Sequence, residues 1–126
     1  MRRLMELPLT LLEMWRVLRV LPRVESSRRS RGPRELVALV RQTPPQLPRS
    51  ERSRRCLQRA IRWVDRWFAD GGNCYRRAML EMTLDPQAAE RPLYMGFSVE
   101  DRGLTGHAWL AANEPNPDRY DFVIQL

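Results

Sequence analysis

The sequence contains no lysine, a single histidine and only two cysteines among its 126 residues. All 22 basic residues are therefore arginine, which we attribute first to the coding bias of a GC-rich genome. Two cysteines are too few for the disulfide framework of a small secreted protein. No stretch approaches the roughly 20 apolar residues of a membrane span, and Glu6 and Glu13 interrupt the apolar N-terminus, so no signal peptide is predicted. The expected compartment is a reducing bacterial cytoplasm.

Arginine is unevenly distributed along the chain. Residues 1–62 hold 16 Arg against five acidic residues, a balance of +11, whereas residues 63–126 hold six Arg against ten acidic residues, a balance of −4. A basic half of this kind indicates an acidic protein surface, a nucleic acid or a membrane face as partner, or else helices with solvated arginine faces. If an acidic protein docks there, reversing the charges of Arg28, Arg29 and Arg31 should slow association.

The N-terminal segment has the pattern of an amphipathic helix. Large apolar side chains recur at heptad spacing and predict a helix over about residues 8–20 that ends at Pro22. The polar residues 25–31 are interpreted as a linker. The face that this helix should bury carries Leu4, Leu7, Leu11, Leu12, Met14, Trp15, Leu18 and Leu21.

Three further helices are predicted from capping and proline signals. Gly32-Pro33 opens the second helix and Ser50 caps the third. Asn73 caps the fourth, which should begin at Cys74 and end before Asp85-Pro86. The third is expected to be the central core helix, because its apolar side chains step at 3-4 spacing: Leu57, Ala60, Ile61, Val64, Trp67 and Phe68.

The C-terminal third changes to short strand-like segments. Strands are predicted over residues 93–99, 105–112 and 120–126, with a turn at 101–103 and a Pro-rich loop over 114–118. We expect the last two strands to pair as a hairpin across that loop. A helical N-terminal half followed by a small antiparallel sheet predicts an α+β fold.

Cys74 is the candidate nucleophile. A thiol reacts as the thiolate, and the unpaired N–H groups of a first helical turn lower the pKa of a thiol and could bind an oxyanion. The preceding Gly71-Gly72-Asn73 lets the chain turn sharply and leaves the sulfur accessible. The alternative is a small buried hydrophobe, which is the commonest role of a free cysteine.

His107, the only histidine, lies in a Gly-His-Ala-Trp strand and could form a thiolate–imidazolium pair with Cys74. The alternative for a lone histidine is a structural or surface position. An acidic side chain should orient the imidazole, and the candidates are Asp118 and Asp121. In the expected hairpin Asp121 falls nearly opposite Trp109, within diagonal reach of His107, and is therefore favoured.

Cys56 is predicted to be structural, because it lies in the middle of a helix and away from any helix start. Two cysteines and one histidine lack both the short ligand spacing and the fourth ligand of a zinc site. Neither a metal nor another cofactor is predicted.

Three segments together resemble the transglutaminase-like B2 family of lasso-peptide biosynthesis: Cys74-Tyr-Arg-Arg-Ala-Met-Leu, Tyr94-Met-Gly-Phe-Ser-Val and Gly106-His-Ala-Trp-Leu. That family carries a Cys followed by an Arg-Ala-Leu helix, a strand ending near a Gly-Val pair, and a His-Ala-Trp-Val strand. The separation of 33 positions between Cys74 and His107 also fits. The resemblance covers about residues 55–126.

The resemblance implies a cysteine peptidase that removes the leader from a ribosomally made precursor peptide. It implies Cys74 as nucleophile, His107 as general base and acid, and Asp121 or Asp118 as the orienting carboxylate. The implied partners are the precursor peptide, a separate small leader-recognition protein, and an asparagine-synthetase-like cyclase that closes the macrolactam.

The resemblance also implies a transglutaminase-like, papain-like core. We expect a single domain over residues 1–126. Within it, residues 1–48 would form an arginine-rich helical extension and residues 50–126 the catalytic core.

Two other functions stay open. A different transglutaminase-like cysteine enzyme of peptide maturation would use the same residues on another substrate. A catalytically silent arginine-rich binding module would account for the basic half. Because Trp15 and Trp63 lie on apolar helix faces they are interpreted as core, and no nucleic-acid-binding motif of known spacing is found, so no nucleic-acid partner is predicted.

Overall fold

The computed structural model describes residues 2–43, 45, 48–68, 70–101, 103–110 and 120–126. Within these ranges five helices come first: α1 Arg2–Ser30, α2 Pro33–Gln42, α3 Glu51–Asp65, α4 Cys74–Leu84 and α5 Pro86–Glu90. Three strands follow: β1 Leu93–Glu100, β2 Gly103–Leu110 and β3 Phe122–Gln125. Helices followed by a small antiparallel sheet confirm the predicted α+β class.

Local capping determines where the helices begin. The predicted starts at Pro33, Glu51 and Cys74 are confirmed. Ser50 and Asn73 each accept a hydrogen bond from the backbone N–H three residues further on, at 3.1 Å and 3.0 Å. These side chains satisfy N–H groups that have no partner inside the helix, so the sequence alone was sufficient to place both starts.

The short helix α5 is not apparent from the sequence pattern. Asp85 ends α4 as predicted, and its carboxylate also accepts a hydrogen bond from the backbone N–H of Gln87 at 3.0 Å. The same residue thus closes one helix and caps the next. Pro86 occupies the first turn of α5, where a missing N–H carries no penalty.

Helix α1 is longer than predicted, and the expectation that Pro22 ends it is wrong. The helix continues through Pro22 and through most of the expected linker, residues 25–31, to Ser30. A proline inside a helix removes one backbone hydrogen bond and costs about 3 kcal/mol. Val17 and Val24, on either side of the proline, are buried in the core, and this packing offsets that cost.

The face that α1 buries also differs from the predicted one. The buried positions include three carboxylates, Glu6, Glu13 and Glu25, each bound to arginine side chains. Most of the predicted apolar face points outward instead, with Leu4 75% and Leu11 54% exposed, whereas two of its members are half-buried against the core. The apolar periodicity predicts that the leucine face is buried. The glutamate face is buried instead, because carboxylates that form ion pairs with arginines from distant segments can leave water.

Three tryptophans that the sequence analysis places in the core are exposed, and that interpretation is wrong. Trp15 is 55%, Trp63 37% and Trp67 63% exposed. The guanidinium of Arg19 lies 4.8 Å from the centre of the Trp15 ring and covers part of it. Aromatic side chains are therefore available on the basic half of the molecule.

The core forms around α4, which packs against α1 and α3 and also against β2. Cys56 is fully buried on α3, as expected of a structural cysteine, and its Sγ lies 4.0 Å from the carbonyl oxygen of Glu6. The larger side chains of the core are Val17, Leu36, Val37, Leu57, Ile61, Val64, Met79, Leu80, Met82, Leu93 and Leu110.

The sheet has the order β2-β1-β3 and is antiparallel. The expected hairpin between the last two strands is wrong, because β1 lies between them. The tight turn before Gly103, whose φ is 122°, pairs β2 with β1 along their full lengths. Strand β3 therefore adds to the other edge of β1, and the opposite edge of β2 faces α4.

Across the described ranges of the chain, no helix combines the length and the apolar character needed to cross a membrane.

Candidate active site

Cys74 is the first residue of α4, as predicted. Gly72, in the turn before it, has φ 118°, and a Cβ there would lie 2.9 Å from the Oδ2 of Asp65. The backbone N–H of Asn73 donates a hydrogen bond to the same oxygen at 2.9 Å. The turn that presents Cys74 is thus tied to the end of α3, and only glycine fits the close approach.

The Sγ of Cys74 lies against the open edge of β2. The backbone N–H of Ala108 donates a hydrogen bond to Sγ across 3.3 Å. Because β1 occupies the other edge of β2, this N–H points outward to α4 and not into the ladder. The sulfur is half-buried and holds a defined position.

His107 precedes Ala108 in the chain and lines the same cavity as Cys74, a space of about 360 Å³. The structure therefore brings together the two residues that the sequence analysis pairs, although they are 33 positions apart. Helix α4 contributes the sulfur and strand β2 contributes the imidazole.

Aromatic rings hold the imidazole of His107 in place. Its centroid lies 5.8 Å from that of Trp109 and 6.1 Å from that of Tyr120, and those two rings lie 5.2 Å from each other, so the three rings form one cluster. Tyr120 lies directly over Gly96, the cross-strand neighbour of His107, where a Cβ would come within 2.5 Å of the tyrosine ring. Neither Tyr120 nor Gly96 is predicted from the sequence as a site residue, although a glycine in the middle of a strand often marks a place where another group lies close to the backbone.

The strand order determines where Asp121, the favoured orienting carboxylate, lies relative to β2. Asp121 was favoured through a β2–β3 hairpin, which does not form, so it does not lie opposite Trp109. Its Oδ2 accepts a hydrogen bond from the backbone N–H of Val99 at 2.6 Å, and its own N–H donates to the carbonyl of Phe97 at 2.9 Å. Asp118 lies outside the described residues.

The cavity has a polar inner wall that the sequence analysis misses. Gln58 on α3 donates a hydrogen bond to Oε1 of Glu81 on α4 at 3.0 Å, and both side chains line the cavity. Burial raises the pKa of Glu81, the hydrogen bond from Gln58 opposes the rise, and the nearby charge of Asp85 adds to it. Glu81 lies seven residues after Cys74, and this helical spacing is the signal that could have identified it.

A buried arginine cluster supports the start of α4. Arg76, which is 2% exposed, donates to carboxylates from three segments: Glu25 of α1 at 2.7 Å, Asp65 of α3 at 2.7 Å, and Asp70 of the turn at 2.8 Å. Its guanidinium also lies 3.7 Å from the centre of the Phe68 ring. Helices α1 and α3 are therefore joined to α4 two residues after Cys74.

The charges of this cluster stabilise one another. Burial alone would lower the pKa of Arg76, but its hydrogen bonds to Asp70, Glu25 and Asp65 outweigh burial and raise it. The hydrogen bond from Arg76 lowers the pKa of Asp70, helped by the N–H of Gly72. Arg28 and Arg76 likewise hold the pKa of Glu25 below its ordinary value against the effect of burial.

The described part of the chain holds no group of three or more His, Cys, Asp or Glu side chains arranged to bind a metal ion.

Comparison with known proteins identifies a family. Residues 15–118 match the family model of the Transglutaminase-like superfamily. The match spans both the helices and the Cys74 and His107 positions. No curated protein and no solved structure matches the chain.

Proposed function

Because the chain belongs to the transglutaminase-like superfamily, we propose that it is a cysteine peptidase that removes the leader from a ribosomally made precursor during lasso-peptide maturation. Cys74 is the nucleophile in this proposal and His107 the general base and acid. The main support for this proposal is that the backbone N–H of Ala108, the residue after His107, donates a hydrogen bond to the Sγ of Cys74 across 3.3 Å. Cys74 and His107 also line the same cavity.

The two residues divide the chemistry between them. His107 accepts the thiol proton of Cys74, and the thiolate attacks the carbonyl carbon of the scissile amide. The tetrahedral adduct collapses with cleavage of the C–N bond, and the imidazolium gives its proton to the departing amine. Water, deprotonated by His107, then attacks the thioester, the C–S bond breaks, and the carboxyl product and free Cys74 are released.

The N-terminus of α4 supplies groups that can stabilise the adduct. The backbone N–H groups of Cys74 and Tyr75 have no acceptor among the described residues, because Asn73 caps only the later N–H of Arg76. Such N–H groups favour negative charge close to the attacking sulfur. They would bind the oxyanion of the tetrahedral adduct.

The cavity provides space for a substrate side chain next to the reacting carbon. Its walls are apolar at Ile61, Ala78 and Leu110, and its inner end is polar at Gln58 and Glu81. A concave site that combines apolar walls with polar groups can hold and orient a substrate side chain. We assign the cavity to a residue that flanks the scissile bond.

The third catalytic group would be Asp121 or Asp118, which would orient the imidazole through its other nitrogen. The carboxylate of Asp121 already accepts the N–H of Val99, which fixes its orientation. Asp118 precedes Tyr120, whose ring stacks on His107, by two residues. Asn substitutions at both positions decide between them, because loss of the orienting carboxylate should lower kcat by several orders of magnitude.

The remaining parts of the proposal concern partners and setting. A separate leader-recognition protein would present the precursor, and an asparagine-synthetase-like cyclase would act on the freed core peptide. A thiolate nucleophile operates best where disulfides do not form, so we place the reaction in the cytoplasm. Residues 1–126 would act as one domain.

The direct test is reconstitution of cleavage from a precursor peptide, its recognition protein and this chain. We expect mass spectrometry to show a single cut, and we expect both Cys74→Ala and His107→Ala to abolish it. The matched control is Cys56→Ala, which removes the buried thiol and should retain cleavage. Full cleavage by Cys74→Ala would exclude the proposal.

Exposed tryptophans favour one alternative, a catalytically silent binding module. Trp15 in the basic half and Trp63, the residue that directly follows that half, are exposed, so the interpretation of both as core residues no longer counts against a binding surface there. If such a module bound nucleic acid, its affinity would fall steeply with salt. A chain that binds nucleic acid in this way and cleaves no precursor would establish this alternative.

A further inference from the structure

A groove between α1 and α3 carries two kinds of side chain that no part of the proposed chemistry uses. Its volume is about 450 Å³, and it is lined by Leu7, Thr10, Arg59, Arg62, Trp63 and Arg66. From these residues and the row beside them we infer that this groove binds an acidic amphipathic helix of a partner protein. The inference stands independently of the peptidase proposal.

The apolar part of the surface is a regular row on α1. Leucines at positions 4, 7, 11 and 18 repeat with helical 3-4 spacing, each is at least 43% exposed, and Leu7 also lines the groove. Met14 and Leu21 continue the spacing and are half-buried. Exposed large apolar side chains that share one face of a helix are typical of an interaction surface. Apolar side chains of a second helix with the same 3-4 spacing can pack between the leucines of this row.

The charged part of the surface is a row on α3. Arg59, Arg62 and Arg66 are spaced three and four residues apart and line the groove together. Arg59 is bound to Glu6, but the side chains of Arg62 and Arg66 bind no carboxylate within the described ranges. All three glutamates of α1 are buried, so its exposed face holds no carboxylate. The groove therefore attracts negative charge.

The leucine row of α1 and the arginine row of α3 together indicate which kind of partner the groove would bind. A second copy of the chain would place its own arginines against Arg62 and Arg66, and like charges repel. A nucleic acid would meet the charge requirement but would leave the leucines at 3-4 spacing without an apolar partner. An anionic lipid surface could meet both requirements, but it is flat, whereas the site is a groove between two helices. A helix with leucine-like residues at that spacing and carboxylates on its flanks satisfies both rows.

The groove borders the candidate active site. Arg62 lines both the groove and the cavity that holds Cys74 and His107. A helix bound in the groove would thus contact a wall of that cavity. The partner would be placed next to the reacting residues without covering them.

The test measures binding of a synthetic probe to the full chain by fluorescence anisotropy. The probe is a labelled helical peptide about three heptads long, with Leu at 3-4 spacing and Glu on the flanks. Control probes carry Lys in place of Glu, or the same composition in scrambled order. Anionic lipid vesicles and a single-stranded DNA oligonucleotide are titrated in parallel.

Variants then locate the site. Arg62→Glu with Arg66→Glu, and separately Leu7→Ser with Leu11→Ser, should each weaken binding about tenfold or more. The matched control is Arg23→Glu with Arg34→Glu, which changes the same charge at two exposed residues that do not line the groove. Thermal unfolding of every variant shows that it is folded.

Saturable binding of the acidic probe, lost in both groove variants and retained in the control, would establish the site. Equal binding of the scrambled or Lys probe would overturn it. Tighter binding of vesicles or DNA than of the probe, or self-association that the groove variants abolish, would also overturn it in favour of another occupant.

Discussion

The backbone N–H of Ala108 donates a hydrogen bond to the Sγ of Cys74 across 3.3 Å, although the two residues are 34 positions apart. The contact exists because β2 is an edge strand and its outward N–H meets the first residue of α4. It places the sulfur beside the residue that precedes Ala108, His107. Everything proposed about catalysis depends on this contact between the helix and the strand.

The reactivity of Cys74 is the first consequence to test. We expect iodoacetamide to label Cys74 quickly at a pH below the ordinary pKa of a thiol, over a series from about pH 5 to 9, because a thiolate–imidazolium pair supplies the nucleophile. In His107→Ala the fast phase at low pH should disappear. Mass spectrometry identifies the labelled residue, and Cys56→Ala gives a background with one thiol. Labelling no faster than that of a free thiol would count against the pair.

The arginine cluster should determine stability. Arg76→Met removes the buried arginine that Glu25 and Asp65 share and leaves them only the more exposed Arg28 and Arg77, so we expect a loss of about 3 to 5 kcal/mol in the free energy of unfolding. Arg34→Met is the matched control, because Arg34 is exposed and has no ion pair within the described ranges; its change should be within about 0.5 kcal/mol. Urea unfolding measures both. Equal losses would show that the cluster contributes nothing specific.

Glu81 should make the protein less stable as pH rises. Burial raises its pKa in the folded state, so at low pH the carboxyl is protonated in both states and carries no penalty. As pH rises from the ordinary glutamate pKa through the raised pKa, only the unfolded state ionises freely, and stability is lost. Glu81→Gln removes this dependence.

Melting temperatures of the two proteins across pH check this. The variant should melt higher than the parent at neutral pH, and the difference should vanish in acid. A difference that is independent of pH would mean that Glu81 acts through packing or its hydrogen bond to Gln58 and not through its charge.

Gly96 should be required for the position of His107. A Cβ at Gly96 would approach the Tyr120 ring to 2.5 Å, so Gly96→Ala should displace the ring and destabilise the fold by about 1 to 3 kcal/mol. Fast labelling of Cys74 should slow as well, because Tyr120 stacks on the imidazole. Gly32→Ala is the control, since a Cβ there meets nothing within 4 Å. Unchanged labelling in Gly96→Ala would show that the reactivity of Cys74 does not depend on the position of the Tyr120 ring.

Long-range strand pairing could not be predicted from the sequence. The strands themselves were predicted close to their actual positions, but the expected β2–β3 hairpin assumed that neighbours in sequence are neighbours in the sheet. Instead Glu100 pairs with Gly103, so β2 lies beside β1 along its length and β3 joins the other edge of β1. Asp121 therefore does not lie opposite Trp109, where the predicted hairpin would have placed it.

What the sequence by itself determined was local: the helix caps at Ser50 and Asn73 and the position of Cys74 in a first turn. These depend on groups a few residues apart, which any chain with that sequence brings together. The tertiary structure alone decided which face of α1 is buried, since its glutamates find arginines far along the chain, some more than 40 positions away. It also decided that Cys74 meets the edge of β2, because the contact needs the helix, the strand and the sheet order at once.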